Sequence, residues 1–371
     1  AANGLISPDG KEVVFENRGN LFVTSVEHSS TKQITDTPAI EGEASWNPDG
    51  REIVFTSMRD GHFNIYRAKI RRDDDLNFSS ATLIDEQPVI AADKTERTYP
   101  KFSPDGKKIA FIQDRNKLMV YDTETKKTTQ ITDGSTYAYR NGAFEYNWAP
   151  DSHWLVLETL GNRHDPYSDI AIVNIADRQL HYLTRSGYTD QQPRFVMNGE
   201  AVLFLSERYG MRNHASWGTQ EDVMIAFLTR DAYDKYMLSE EDYQLRKELE
   251  KQKEKKAKEA DDKKADKDKD KDKDKDKDKK AEPLKVDIEG LQDRVVRLTP
   301  FSTSISDAWV DNDGKKLYYL AATDGDFDLW ALELRDPEAK VDTRLGLKGG
   351  GALIPTADAK TLLISGDKMK T

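Results

Sequence analysis

The sequence has no cysteine in 371 residues, which excludes disulfide bonds, thiolate metal sites and cysteine nucleophiles. Basic side chains are also outnumbered, because 56 Lys and Arg stand against 67 Asp and Glu and leave a net charge of −11. We therefore expect no nucleic-acid partner, since nucleic-acid-binding faces are basic. No apolar run approaches the roughly 20 residues that span a bilayer, so no membrane span is expected.

Common catalytic and cofactor-binding motifs are missing as well. The chain contains no G-x-S-x-G nucleophile elbow, no H-E-x-x-H zinc motif and no P-loop. The six His residues lie in different parts of the chain without the spacing of metal ligands. The sequence therefore predicts no catalytic residue, no metal site and no cofactor in this chain.

Charge is distributed unevenly along the chain. Residues 240–282 contain 17 basic and 17 acidic side chains in 43 residues, so the whole net charge belongs to the remainder. Ser239 followed by acidic residues is typical of a helix start, and strict Asp-Lys alternation follows from Asp266 to Lys279. Such a tract buries no apolar surface and is typical of disorder. We interpret residues 239–282 as a helical and disordered insertion, either a solvated excursion or a docking arm.

The rest of the chain is a repeat marked by a turn signature. Ser7-Pro8-Asp9-Gly10 is the first example, and weaker versions replace the proline or the glycine. The second turn position falls at Pro8, Pro48, Pro104, Pro150, Met197, Asn312 and Ala357. The spacing is 40 to 56 residues except for one gap of 115, which contains the insertion. Seven repeats with this period are typical of propeller blades.

Each repeat has the strand pattern of one blade. Segments rich in β-branched and aromatic residues, such as "KKIAFIQ" and "KLMVYDT", follow each turn, and a short segment such as "TTQIT" closes the unit. Four short strands per repeat predict an all-β fold, a β-propeller of about seven four-stranded blades formed by residues 1–371 as one domain. The insertion falls within blade five. Because the seventh repeat stops early, we expect six whole blades, one unfinished blade and a longer parent protein.

The repeat resembles those of TolB-type and tricorn-type propellers. The segments "SERYGMRNHASWGTQEDVMIAFLTRDAYDKY" and "LYYLAATDGDFDLWALEL" are similar to a propeller of tricorn-like serine proteases. The resemblance implies a parent that degrades oligopeptides, with PDZ-like and serine-protease domains as partners of this propeller. It also implies a cytoplasmic location, or a periplasmic one if a signal peptide has been removed. A homo-oligomer is left open.

Two clusters are candidates for contact with a ligand. A long loop in blade five contains the predicted substrate-binding residues Arg208, Arg212, His214 and Trp217, alongside Tyr209. Arginine and aromatic side chains suit peptide carboxylates and apolar groups. The alternative is a loop folded onto the propeller rim, with Trp217 as its packing anchor. The second cluster is Tyr137, Tyr139, Arg140, Phe144, Tyr146 and Trp148, whose alternation favours the core of an inner strand.

Three functions fit the sequence. The first is a non-catalytic propeller module of a tricorn-like serine protease, gating or guiding peptides to a catalytic domain outside this chain. The second is a TolB-like protein-interaction scaffold without enzymatic activity. The third is a propeller enzyme with its own site in the central channel.

Overall fold

The computed structural model describes residues 2–135, 144–160, 167–212, 219–249, 251–252, 283–356 and 361–366. Within them the fold is all-β, with six four-stranded antiparallel sheets and one two-stranded sheet. We call the six sheets blades one to six, in chain order, and the two-stranded unit the seventh sheet. No helix among the described residues is long and apolar enough to cross a membrane.

The strands follow one another along the chain from the inside of each blade outwards. Blade one contains β1 (Ala2–Ile6), β2 (Glu12–Asn17), β3 (Asn20–Ser25) and β4 (Thr31–Gln33). Blade two contains β5 (Glu41–Trp46), β6 (Glu52–Ser57), β7 (Asn64–Ile70) and β8 (Ile84–Pro88). Blade three contains β9 (Arg97–Phe102), β10 (Lys108–Gln113), β11 (Lys117–Asp122) and β12 (Thr128–Gln130). Blade four contains β13 (Tyr146–Trp148), β14 (Trp154–Thr159), β15 (Asp169–Asn174) and β16 (Leu180–Tyr182).

The later blades repeat this order. Blade five contains β17 (Asp190–Val196), β18 (Ala201–Ser206), β19 (Asp222–Phe227) and β20 (Val295–Arg297). Blade six contains β21 (Ile305–Val310), β22 (Lys316–Thr323), β23 (Asp326–Glu333) and β24 (Asp336–Leu347). The seventh sheet pairs β25 (Ala352–Pro355) with β26 (Leu362–Ser365). Short 3-10 helices lie at Phe78–Ser80, Met197–Gly199 and Leu291–Arg294.

The Pro-Asp-Gly turns join the first and second strands of a blade, as the sequence predicts. In blade one the Gly10 N–H donates to the Ser7 carbonyl at 2.9 Å, and the φ of Gly10 is 76°. The Asp9 carboxylate accepts hydrogen bonds from the Ser7 hydroxyl at 2.6 Å and the Lys11 N–H at 3.1 Å. Positive φ recurs at the same turn position at Gly50, Gly106 and Gly314. These aspartates therefore shape turns, since short polar side chains and a positive-φ residue stabilise tight hairpins.

Apolar side chains on both faces of the blades form the core. In β6, Ile53 and Phe55 pack in a cluster with blade one, and Val54 between them packs in a cluster with blade three. This alternation follows from the two-residue period of a strand. Further clusters join each later pair of neighbours up to blade six and the seventh sheet, and β26 contacts β1. The sheets therefore form a ring.

The two ends of the ring differ in their connections. Because neighbouring strands are antiparallel, the first-to-second and third-to-fourth connections of every blade lie at one end. We call this end the turn face, since it contains the Pro-Asp-Gly turns such as Ser7–Gly10. The second-to-third connections and the connections between blades lie at the opposite end, which we call the loop face.

The insertion leaves blade five between β19 and β20, on the turn face. Ahead of residue 239, α1 (Arg230–Tyr236) follows β19, and its Tyr233 and Tyr236 rings pack against Phe227 at centroid distances of 6.1 and 4.9 Å. A second helix covers residues 240–249, and its N–H of Asp242 donates to the Ser239 hydroxyl at 3.1 Å. The predicted helix start at Ser239 is therefore confirmed.

The second helix is docked on the body. Its Tyr243 is 6% exposed, and the centre of the Tyr243 ring lies 3.6 Å from the Arg335 guanidinium carbon. The Asp-Lys tract lies outside the described residues. Across the insertion β20 pairs with β19, Met224 opposite Arg297, so the flanking strands close the blade.

The predicted blades are confirmed for the first six repeats, where every sheet has four strands. A complete seventh blade is not found, because the seventh sheet has two strands within the described residues. Residues 369–371, where the sequence pattern places the start of a third strand of the seventh repeat, lie outside them.

Candidate functional site

The inner strands of the ring surround a central channel. Two cavities occupy it, with volumes of about 890 and about 790 Å³. Five residues line both cavities, namely Leu5, Lys101, Glu145, Asn147 and Trp148. The cavities are therefore adjacent parts of one space, and this space is the candidate functional site.

One residue of every repeat lines the channel at the same distance from its turn. Counting three residues back from the second turn position gives Leu5, Ser45, Lys101, Asn147, Arg194, Trp309 and Ile354. Each of the seven lines at least one of the two cavities. We call them the channel ring. Blades two to five contribute its polar and cationic members, while blades six and one and the seventh sheet contribute apolar ones.

The inner strands carry β-bulges beside this ring. The register shifts between Gly42 and Ser45 in β5, and comparable shifts occur in β9 and β17. One residue in each of these bulges has a positive φ, of 53° to 55°, at Glu43, Tyr99 and Gln192. Positive φ is costly for residues other than glycine and persists where surrounding contacts hold it. All three residues line the channel.

Polar contacts join the inner strands of blades two, three and four. The Glu43 carboxylate accepts a hydrogen bond from the Tyr99 N–H at 2.8 Å. The Lys101 ammonium donates to the Tyr146 carbonyl at 2.6 Å and to Asn147 Oδ1 at 3.0 Å. The Trp148 indole N–H donates back to the Lys101 carbonyl at 3.0 Å. The bulged strand β9 is thus bound by side chains of blades two and four.

The same kind of contact continues into blades five and six and the seventh sheet. Asn147 Nδ2 donates to the Pro193 carbonyl at 2.8 Å. Arg194 donates to the Asp307 carboxylate at 2.6 Å and to the Leu353 carbonyl at 3.2 Å. The Leu353 N–H donates to the other oxygen of Asp307 at 2.7 Å. A chain of hydrogen bonds therefore runs along the channel wall from blade two to the seventh sheet.

Glu158 is the most perturbed acid in this wall. Its oxygens accept hydrogen bonds from the Gln192 N–H at 2.8 Å and the Glu145 N–H at 3.2 Å, which joins blades four and five. Burial raises the pKa of Glu158 to about 7, and the nearby Glu145 charge adds to the rise against the opposing effect of these hydrogen bonds and of Lys101. Burial likewise lowers the pKa of Lys101. Glu158 therefore changes charge near neutral pH.

The channel wall presents groups that can form hydrogen bonds and ion pairs with a ligand. It offers an ammonium, a guanidinium, carboxylates, amides and indole rings, which together suit peptide groups. No group of three His, Cys, Asp or Glu among the described residues could hold a metal ion.

The structure describes two of the four predicted substrate-binding residues. Arg208 and Arg212 are exposed on the loop face, and their guanidinium groups lie 5.4 Å from the Tyr209 ring and 4.1 Å from the Tyr188 ring. His214 and Trp217 lie outside the described residues. The residues that line the two cavities do not include Arg208 or Arg212. A substrate-binding role for this loop stays a prediction.

The second sequence cluster has the predicted core role where it is described. Phe144 and Tyr146 are buried, and the Tyr146 hydroxyl donates to the Tyr99 and Ala110 carbonyls. The indole of Trp148 binds the neighbouring blade. Tyr137, Tyr139 and Arg140 lie outside the described residues.

Sequence reasoning missed the channel residues Lys101, Arg194 and Glu158. A signal for the first two was present, because both stand three residues before the second turn position, as do the other ring members. Glu158 stands on β14 and had no such signal.

Comparison with known proteins agrees with this architecture. A family model described as the TolB beta propeller domain matches residues 5–136. This part of the chain is therefore similar to TolB-type propellers. Over 216 residues the propeller chain is 23% identical to Tricorn protease homolog 1 of Streptomyces coelicolor, which covers 55% of this chain and 18% of that protein. Over 178 residues it is 28% identical to the Tol-Pal system protein TolB of Francisella tularensis subsp. mediasiatica. This match covers 47% of this chain and 36% of that protein.

A solved structure resembles the propeller chain over nearly its whole length. The crystal structure of the tricorn protease matches with a TM-score of 0.64 at 12% identity, covering 98% of this chain and 33% of that one. At this identity the match shows the fold alone. The propeller chain spans less than two fifths of the length of these proteins.

Proposed function

We propose that this chain is a non-catalytic propeller module of a tricorn-like serine protease, and that its channel guides oligopeptides to a catalytic domain outside the chain. The observation that carries the proposal is the channel, whose wall presents charged, amide and indole groups to a space of peptide size. The similarity to a tricorn protease homolog over 55% of the chain supports the proposed parent. PDZ-like and serine-protease domains are the proposed partners in that parent.

The proposal is tested by filling the channel. Glu145 lines both cavities with a 55% exposed side chain, so Glu145→Trp adds bulk to the space with little disturbance of packing. Glu124→Trp is the matched control, because Glu124 is 73% exposed on the outer part of blade three. We expect binding of a fluorescein-labelled octapeptide to the chain, measured by anisotropy, to weaken by about tenfold or more in Glu145→Trp and to stay unchanged in the control. Equal affinity in both variants would contradict the proposal.

A TolB-like interaction scaffold is the second candidate, favoured by the family match of residues 5–136. In this proposal the chain binds a protein partner rather than short peptides. It predicts that the unmodified chain binds no octapeptide in the same titration.

A further inference from the structure

We propose that the start of β17 is a proton-operated latch on the channel wall, closed while Glu158, Asp190 and Glu221 are protonated and loosened when they ionise. The latch consists of these three acids together with Gln191 and Gln192, the second and third residues of β17. The inference concerns a conformational change of the chain and does not depend on the proposed function. It is carried by three acids that lie at one end of one strand without basic partners.

The three acids hold the first three residues of β17 in place. The Gln192 N–H, in the bulge, donates to the Glu158 carboxyl of blade four at 2.8 Å. The Gln191 side-chain amide donates to the carboxyl of Glu221, which precedes β19. The Asp190 carboxyl accepts at 3.0 Å from a serine hydroxyl of the connection between blades four and five. Blade four, blade five and the connection between them therefore meet at this strand end.

These acids lack the basic partner that another buried acid of blade five has. Asp190 is 1% exposed, and Glu158 and Glu221 are half-buried. Within the described part of the chain, none of the three forms an ion pair. By contrast, the buried Asp222 pairs with Arg297 at 2.8 Å. A carboxylate that loses hydration without a basic partner is unstable, so such an acid retains its proton.

The charges that face the latch add to this effect. Negative groups from four elements repel a further negative charge there, namely Glu145 before β13, Asp169 of β15, Glu207 after β18 and Asp222 of β19. Lys101 of blade three attracts the charge of Glu158 but only partly offsets the repulsion. Lost hydration and this repulsion raise the pKa of Glu158 and Glu221 to about 7 and that of Asp190 to about 6.

Ionisation favours a conformation in which the carboxylates are hydrated. All three acids lie at strand ends beside the connections of the loop face, so a movement of the β17 start away from its neighbours exposes them to water. Gln192 lines the larger cavity and Glu158 lines the smaller one, and this movement therefore widens the channel at blade five. We expect the latch to be closed at about pH 6 and to open more often at about pH 8.

The test is hydrogen exchange of the backbone amides of the 371-residue chain between about pH 6 and about pH 8, measured by mass spectrometry. Each rate is divided by the intrinsic rate at the same pH, because unprotected amides also exchange faster as the pH rises. A glutamate with a pKa of about 7 when closed and about 4.3 when hydrated shifts the opening equilibrium about tenfold over this range. The two glutamates together should lower the protection of residues 190–192 about a hundredfold.

The start of β9 is the internal control. Its bulge has the same geometry, since the Tyr99 N–H donates to Glu43 at 2.8 Å, but its first residue, Arg97, pairs with Asp93 at 2.7 Å. The protection of this strand should stay unchanged over the same pH range. An equal loss in β9 and β17 would mean that the whole chain loosens, and it would overturn the latch. Protection at β17 that does not depend on pH would overturn it as well.

Two substitutions remove the charge and keep the shape of the side chains. The double variant Glu158→Gln with Glu221→Gln cannot ionise at either position, so residues 190–192 should keep at about pH 8 most of the protection that they have at about pH 6. Glu124→Gln, at a 73% exposed position, should behave as the wild type. A loss in the double variant as large as in the wild type contradicts the proposal. The comparison of β17 with β9 in the wild type decides the question even if the double variant fails to fold.

Discussion

Glu158 should make the stability of the propeller depend on pH in an unusual direction. Its pKa is about 7 in the folded chain, against about 4.3 for an ordinary glutamate. A raised pKa in the folded state means that the folded chain holds the proton more tightly than the unfolded chain. The contribution of Glu158 to stability is therefore fully present below about pH 4.3 and is lost as the pH rises through about 7.

The size of the effect follows from the shift. A difference of nearly three pH units corresponds to up to about 4 kcal/mol, lost at about 1.4 kcal/mol per pH unit between the two pKa values. Glu158→Gln cannot ionise and resembles the protonated acid. A hydrogen bond that the amide fails to accept lowers the stability of the variant by the same amount at every pH. The pH dependence of the difference therefore reports only the charge of Glu158.

The assay is urea denaturation of the wild type and Glu158→Gln between about pH 5 and about pH 8.5. We expect the free energy of unfolding of the variant, minus that of the wild type, to rise by about 2 to 3 kcal/mol across this range. Glu124→Gln, at a 73% exposed position, should show a flat difference. A flat difference for Glu158→Gln would refute the reasoning, because it would mean that burial does not retain the proton.

Two further predictions concern the insertion and the blade-five loop. Deleting residues 251–280 should leave the melting midpoint nearly unchanged, and a fall of several degrees would show that the tract docks on the body. Tyr243→Ala, which removes a 6% exposed ring, should instead lower the free energy of unfolding by about 3 kcal/mol. If the proposed parent protease exists, replacing Arg208 and Arg212 by Ala in it should raise its KM for oligopeptides with an unchanged melting midpoint, as measured by steady-state kinetics and thermal melts. An unchanged KM would leave these arginines without a role in guiding peptides.

The blades could be predicted because their signals are local. A turn such as Ser7–Gly10 contains its own hydrogen-bond acceptor and its positive-φ glycine, so its chemistry is complete within a few residues. Strand patterns flank each turn at a constant spacing. The order of strands in six blades therefore followed from the sequence.

The bulges and the perturbed acid depend on contacts between blades. The positive φ of Tyr99 is supported by Glu43, 56 residues earlier, and Gln192 is bound by Glu158, 34 residues earlier. No periodicity within one repeat reports such pairs. Helix α1 was missed for a different reason, since Thr229 caps a helix that stands between two strands of one blade.

Arg194 changes how the blades depend on one another. A ring in which each blade touches its two neighbours behaves as a one-dimensional array, whose stability is a sum of unit and nearest-neighbour contributions. Arg194 of blade five binds Asp307 of blade six and also Leu353 of the seventh sheet, so it adds a coupling between second neighbours. The two-stranded seventh sheet is thereby tied to blade five as well as to its two neighbours, blades six and one. Damage to blade five should accordingly loosen the seventh sheet through Arg194, and the last part of the ring should not unfold independently of the middle.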